Sequence, residues 1–241
     1  MGTIHAGTSG WAYPSWKRGF YPPQLGSKDF LRHYATRLNS VEINYTFGRI
    51  ASEEAMRGWA ADTGGEFRFA VKALNTITHI KRLRDATAVT REFFESLEPL
   101  RKAKKLGPVL FQLPPNFKCD LPRLRAFLAD LPKGFRVAFE FRHESWFVEE
   151  LYAELRKRNV ALCLAESEKI ETPEVQTADF YYLRLRKPSY TAKEVTPRVR
   201  RLARDGDVYV YFKHEDTPEG ALNAEALLAA VTTGRSGSEE N

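Results

Sequence analysis

The sequence predicts a single (β/α)8 barrel. Eight short apolar runs have strand length and strand composition, helix-length segments with start signals separate most of them, and the glycine-rich phosphate fingerprint that would favour an open doubly wound sheet is missing. The eight runs cover residues 4–8, 41–45, 67–72, 109–113, 137–141, 160–164, 180–185 and 208–212, each rich in β-branched or aromatic side chains. Helix starts are predicted at Ser27, at Ser52 followed by Glu53 and Glu54, at Asp120 before Leu121 and Pro122, and at Ser145. The sixth crossover is the weakest unit. Thr172-Pro173-Glu174 can open a helix there but leaves little room for one, so this connection is expected to be short or irregular.

A length of 241 residues is close to the roughly 250 typical of one α/β barrel. The expected division is one barrel domain over residues 1–231 and a disordered tail over 232–241, where Gly, Ser and charge replace periodicity. Neither an internal repeat nor an interdomain linker is evident.

Two cysteines, Cys119 and Cys163, are too few for a disulfide-stapled secreted scaffold of this length. The N-terminus lacks a basic and apolar leader pattern, and no run of about 18 apolar residues occurs. The expectation is a cytoplasmic protein in a reducing compartment, with no membrane partner. A formal net charge of +6 permits phosphate-bearing partners without requiring them. Basic runs at Arg101, Lys102, Lys104 and Lys105, and at Lys193, Arg198, Arg200, Arg201 and Arg204, read as solvated helix faces.

Function in such a barrel lies at the C-terminal strand ends. The two-residue strand period puts Glu42 and Asn44 on one face of the second run, Glu140 and Arg142 on one face of the fifth, and Arg184 and Arg186 on one face of the seventh. Lys72, Gln112 and Lys213 close the third, fourth and eighth. The helix-facing side of each strand must be apolar, so the polar sides are expected to point into the barrel, where charge has to be paired or bind something. Two readings follow: a structural layer in which Glu42 and Glu140 neutralise Lys72, Arg142 and Arg184, or a site. Polar endings on six strands favour the site.

Its expected members are Glu42 or Glu140 as general acid or base and Lys72 as a third catalytic group. Lys72 is read first as a charge partner for a carboxylate or ligand anion, and second as a Schiff-base nucleophile. Ser9, Trp11, Asn44, His79, Gln112, Arg142, His143, Trp146, Arg184, Arg186 and Lys213 are expected to bind substrate. The cationic balance suits an anionic small molecule or a nucleic acid, and the loop aromatics can stack on a base or sugar or simply plug the barrel end. Ser9 misses the nucleophile-elbow spacing by one place, because the second glycine of Gly7-Thr8-Ser9-Gly10 comes early. No cofactor is predicted. The five histidines are not paired at metal-ligand spacing, and the one combination worth weighing for a divalent metal, as in a phosphodiesterase or endonuclease, is His143 and His214 with Glu42 and Glu140. A non-catalytic module gripping single-stranded nucleic acid is the remaining alternative.

Five segments carry a resemblance: Gly7-Thr8-Ser9-Gly10-Trp11 continuing to Phe20-Tyr21-Pro22; Val41-Glu42-Ile43-Asn44 with Thr46-Phe47; Phe69-Ala70-Val71-Lys72-Ala73 with Thr78-His79; Gln112-Leu113-Pro114-Pro115; and Glu140 to Trp146. Together they resemble the YecE-like family, a domain of unknown function, from Gly7 to about Leu227. The resemblance implies a TIM barrel, and by fold analogy alone a hydrolase or isomerase, since that barrel looks like those of sugar-phosphate isomerases and of an apurinic-site endonuclease. The sequence departs from the family pattern twice. Arg184-Leu185-Arg186-Lys187 stands where the family tends to Arg-x-His-Gly, and Phe212-Lys213-His214-Glu215 where it tends to Phe-x-Asn. Both changes add positive charge.

Overall fold

The computed structural model describes residues 1–166, 170–187, 190–213 and 216–233. His214 and the tail from residue 234 therefore lie outside the described residues, while Thr232 and Thr233, expected in the tail, end the last helix.

Eight parallel strands are present: β1 Ile4–Thr8, β2 Ser40–Ile43, β3 Arg68–Lys72, β4 Leu106–Gln112, β5 Val137–Glu140, β6 Val160–Glu166, β7 Phe180–Leu185 and β8 Asp207–Phe212. They pair in the order β1-β8-β7-β6-β5-β4-β3-β2, a nearly closed barrel of the predicted kind. Among the described residues eight α-helices accompany them: α1 Phe30–Arg37, α2 Glu53–Ala61, α3 Thr87–Ser96, α4 Glu98–Lys102, α5 Leu121–Asp130, α6 Glu149–Lys157, α7 Ala192–Leu202 and α8 Glu219–Thr233. Amphipathic helices lay apolar stripes on the strands, as Leu124, Phe127 and Leu128 do at i, i+3 and i+4 in α5, or Leu151, Tyr152 and Leu155 at i, i+1 and i+4 in α6.

Two of the predicted helix caps hold. Ser52 Oγ accepts the Ala55 N–H at 3.2 Å, and Asp120 Oδ1 accepts that of Arg123 at 3.0 Å. Two do not. Ser27 opens a short 3-10 turn without capping anything by its side chain, and Ser145 sits inside another, Glu144–Trp146, so that α6 begins only at Glu149. Lys105, read as part of a solvated face, is buried: its ammonium donates to the carbonyls of Ala60 and Thr63 at 2.5 and 2.6 Å and so caps the C-terminus of α2.

The sixth crossover is irregular. Residues 172–179 form no helix, and two threonines tie them to β6: Thr172 Oγ1 accepts from Ala165 N at 3.3 Å and Thr177 Oγ1 from Leu162 N at 2.7 Å. Glu174 then anchors to Arg198 and Arg201 of α7 at 2.8 and 2.5 Å, so this basic helix face is partly engaged rather than simply solvated.

The interior is a second apolar cluster, separate from the layer between strands and helices. Ala70, Ala138, Ala161 and Cys163 leave room that Phe180, Tyr182, Tyr209 and Tyr211 fill from β7 and β8. A tyrosine buried this deeply needs a partner for its hydroxyl, and the two on β8 have one: Tyr211 meets Ser40 Oγ at 2.7 Å, and Tyr209 receives Arg136 at 3.1 Å.

Closure between β1 and β2 is made mainly by side chains, since a single bridge, Ser9 to Glu42, joins their backbones. Asn39 Oδ1 accepts from Ala6 N at 2.8 Å, and its amide donates to Ile4 O at 2.9 Å. The Tyr34 hydroxyl accepts from Thr8 N and donates to Ser40 O, both at 2.9 Å. Gly7 permits this approach, because a Cβ there would lie 1.8 Å from Ser40 O. Tyr34→Phe is expected to leave one buried N–H and one carbonyl unpaired and to cost about 2 kcal/mol in urea denaturation, with secondary structure unchanged; an unchanged denaturation midpoint would show that water or a backbone shift closes the seam instead.

Candidate functional site at the barrel mouth

The seam leads directly to a buried ion-pair network. Arg184, fully buried on β7, reaches across the barrel: its Nε and Nη2 donate to the two oxygens of Glu42 on β2 at 2.9 and 2.6 Å, and its Nη1 donates to Glu140 on β5 at 2.6 Å. The fork geometry of a guanidinium permits this bidentate contact plus a third bond. Ser9 and Tyr182 hydroxyls complete Glu42 at 2.9 and 2.7 Å, and Gln112 Nε2 donates to Glu140 at 2.8 Å. The inward polar faces expected from the two-residue period are thus present.

Both carboxylates are consumed by this arrangement. Burial pushes the Glu42 carboxyl up, but Arg184, then Arg186, and the hydrogen bonds from Arg184 and Tyr182 outweigh it and bring it down to about 2. Glu140 is lowered by the same balance, burial being overcome by Arg184, Arg186 and Gln112. Each is ionised at neutral pH and held as a counter-ion to Arg184, so of the two directions of shift the sequence leaves open, the downward one applies.

Lys72 is the group left over. At the end of β3 it is 9% exposed, and its ammonium makes no ion pair or hydrogen bond with any described residue. It lies 4.0 Å from the centroid of the Phe47 ring. Burial, followed by the field of Arg184, lowers its pKa to about 8 against the pull of Glu42 and Glu140. The predicted carboxylate partner is absent because Arg184 holds both candidates.

Arg186 is half-buried, donates to Ser9 Oγ at 3.2 Å and stands 3.8 Å from Glu42. Its Nε is covered and has no partner, as is Asn44 Oδ1 two residues beyond Glu42. Arg142 is exposed at the rim, 3.7 Å from Glu140. His79 lies in a π-helical turn, Thr76–Ile80, edge-on to Phe47 at 5.0 Å, with its Nδ1 2.9 Å from Thr78 Oγ1. Burial and then Lys72 lower its pKa, so the ring is neutral at pH 7. Three residues just after that turn, Arg82, Leu83 and Asp85, have positive φ, a local strain that shapes the loop beside the mouth.

Other expected binders do not join these contacts. Trp146 is fully buried against Phe141 and Phe117, its indole N–H donating to Phe117 O at 2.7 Å. His143 caps the turn that follows it, accepting from Ser145 N at 3.2 Å. Trp11 packs edge-on against Trp59 at 5.5 Å and is only half-buried. Lys213 is exposed past the end of β8 and joins none of these contacts. Tyr182 was not expected in the site, whereas Phe47 is one of the loop aromatics expected beside the cations of the mouth. Tyr182 was legible, since it stands two residues before Arg184 on the same strand face; the pairing of Phe47 with Lys72 was not, because β2 ends at Ile43 and a 3-10 turn, Tyr45–Phe47, redirects the chain. Among the described residues no group of three His, Cys, Asp or Glu side chains is gathered at metal-binding distance, and the His143 and His214 combination extends outside them.

The family described as "Protein of unknown function DUF72" matches residues 5–240. The chain belongs to the DUF72 family. This establishes the YecE-like relationship: over 147 residues the chain is 34% identical to the UPF0759 protein YecE of Escherichia coli K12, a match covering 61% of this chain and 51% of that protein. The chain thus spans about half the length of the curated relatives it matches. A solved DUF72 family protein from Thermotoga maritima superposes with a TM-score of 0.83 at 26% identity, covering 95% of this chain and 99% of the other. A second, from Enterococcus faecalis V583, shares the fold at a TM-score of 0.73 and 19% identity, covering 96% and 98%. No helix among the described residues of this DUF72 protein is long and apolar enough to cross a membrane.

Arg184→Met is expected to destabilise this DUF72 barrel by roughly 3–5 kcal/mol, because it leaves two buried carboxylates without a counter-charge. The pH dependence follows from the sign of the Glu42 shift. Its folded pKa, about 2, lies below the unfolded value near 4.5, so its contribution is present above pH 4.5 and is lost as pH falls toward 2. Urea titrations between pH 6 and pH 2.5 should show this acid loss in the native protein and a much flatter profile in Glu42→Gln; parallel profiles would refute the assignment.

Proposed function

We propose that the mouth of this barrel is the active site of an enzyme whose substrate carries a phosphate or a comparable anion. One observation carries the reading: buried positive charge left without a partner. Two carboxylates, Glu42 and Glu140, stand among Arg184, Arg186 and Lys72, and both are engaged by Arg184. The surplus falls on Lys72, which has no carboxylate, and on Arg186, whose Nε has no acceptor. An uncompensated cation in a desolvated position is costly to folding, and an incoming anion would offset that cost. Arg142 at the rim supports the same charge preference, and Arg186 and Arg142 offer planar donor pairs suited to phosphate oxygens.

In this reading Glu42 and Glu140 are positioning residues: they hold Arg184, and with it the electrostatic floor of the site. Lys72 is the group that exchanges a proton with substrate, since an amine with a pKa of about 8 is both donor and acceptor near neutrality. The chemistry runs on side chains, with no cofactor required. Apart from the fold, the likeness to other barrel enzymes adds nothing to this assignment.

Calorimetric titration with inorganic phosphate and pyrophosphate should give saturable binding that weakens with salt, and Lys72→Met and Arg186→Met should each lose at least tenfold in affinity while keeping the circular dichroism of the parent. Unchanged affinity in both variants would overturn the reading. A 5′-phosphorylated single-stranded oligonucleotide is the second titrant. Binding at least a hundredfold tighter than that of pyrophosphate would move the proposal to nucleic-acid ends, through the salt-dependent phosphate contacts such chains offer.

A further inference from the structure

We infer that Lys72 is a nucleophile that forms an imine with the carbonyl carbon of a phosphorylated aldehyde or ketone. This rests on the phosphate reading above and names its substrate class.

The geometry separates Lys72 from an ordinary structural lysine. A buried lysine is normally held by a carboxylate, which keeps its nitrogen protonated and occupied. Here both carboxylates of the interior are turned toward Arg184, three hydrogen bonds on one guanidinium. The Lys72 nitrogen faces the Phe47 ring instead, a surface that offers no proton acceptor of carboxylate strength. Its strand position, the C-terminal end of β3, is where a barrel presents reactive groups, and its side chain shares the inward face with Ala70, a residue too small to block it. The cations Arg184 and Arg186 disfavour a third positive charge beside them, so a useful fraction of the amine is neutral at physiological pH.

The surroundings supply the rest of the reaction. The lone pair of neutral Lys72 adds to the carbonyl carbon; the carbon–nitrogen bond forms and the carbonyl π pair moves to oxygen. That oxygen gains two protons, one from the attacking nitrogen and one from a general acid, and leaves as water, giving a protonated imine. His79, which shares the Phe47 ring with Lys72, is a titratable ring able to relay a proton from solvent. Arg186 after β7 and Arg142 after β5 would take the phosphate at the mouth ends of their strands. An imine so formed is cationic, and the phosphate carried by the same substrate is the anion that balances it.

The test is reductive trapping on the full chain. Dihydroxyacetone phosphate is incubated with the protein and sodium cyanoborohydride, and the labelled lysines are located by peptide mass spectrometry. Lys72 should be modified at least tenfold faster than any other lysine, inorganic phosphate should suppress that labelling, and dihydroxyacetone without phosphate should label Lys72 at least tenfold more slowly. Lys72→Arg, which keeps the charge, should retain inorganic phosphate binding within about threefold and lose the site-specific label. Labelling spread over other lysines with Lys72 unmodified overturns the inference. If phosphate still binds in that case, the imine chemistry alone has failed; if phosphate does not bind either, the anion reading has failed with it. Equal labelling by the two ketones overturns the substrate class.

Discussion

One guanidinium holds the interior of this barrel together. Arg184 projects from β7 and bonds to Glu42 on β2 and Glu140 on β5, strands that are not its neighbours in the sheet. Through Glu42 it is tied to Ser9 just past β1, and through Glu140 to Gln112 on β4, so five strands share one charge. Such a group is expensive to bury and expensive to disturb. Its position is not free to drift, because Tyr182 on the same strand holds the same carboxylate. The weak backbone seam between β1 and β2 is spanned at its upper end by this network, where Ser9 and Glu42 make the one bridge between those strands. Closure of the barrel and construction of the mouth are therefore a single event.

That constraint also determines what is left available. A carboxylate accepts only a limited number of good hydrogen bonds, and a bidentate guanidinium takes the best of them. Once Arg184 has claimed Glu42 and Glu140, Lys72 lowers its energy most by shedding its proton or by meeting an external anion. The cation–π contact with Phe47 offsets part of the cost without quenching the nitrogen. A network of the ion-pair kind thus produces an unusual amine beside it, and the proposed site rests on that layer rather than replacing it.

The barrel was legible because strand period and strand count are local properties. The run ending in Arg184 and Arg186 and the one carrying Glu42 could be assigned an inward face from alternation alone, and the structure agrees. What alternation could not provide was partner choice. Glu42 can pair with Lys72 or with Arg184 on pattern grounds; only the reach of β7 across the interior decides for arginine. Residues beyond the strand ends are less legible, because the period stops there. Trp146 and His143 follow β5 within six residues, as Arg142 does within two, yet a 3-10 turn folds the first into the plug and uses the second as a cap. Lys105 is hidden for a related reason: a charged residue flanking a helix carries no local sign that it will meet the end of a different helix.

Of the two departures from the family pattern, the one after β8 falls at His214, outside the described residues, and its neighbour Lys213 lies exposed past the strand. The one after β7 bears directly on the charge of the mouth. Arg186 is drawn inward beside Arg184, competes for Glu42 at 3.8 Å and leaves its Nε unpaired. Its field reaches the neighbours as well: it helps hold Glu42 and Glu140 ionised and adds to the forces that loosen the proton on Lys72. A histidine at this position, neutral over much of the physiological range, would relax all three effects together. Arg186 is thus the residue through which this chain's own sequence sets the charge state of its mouth.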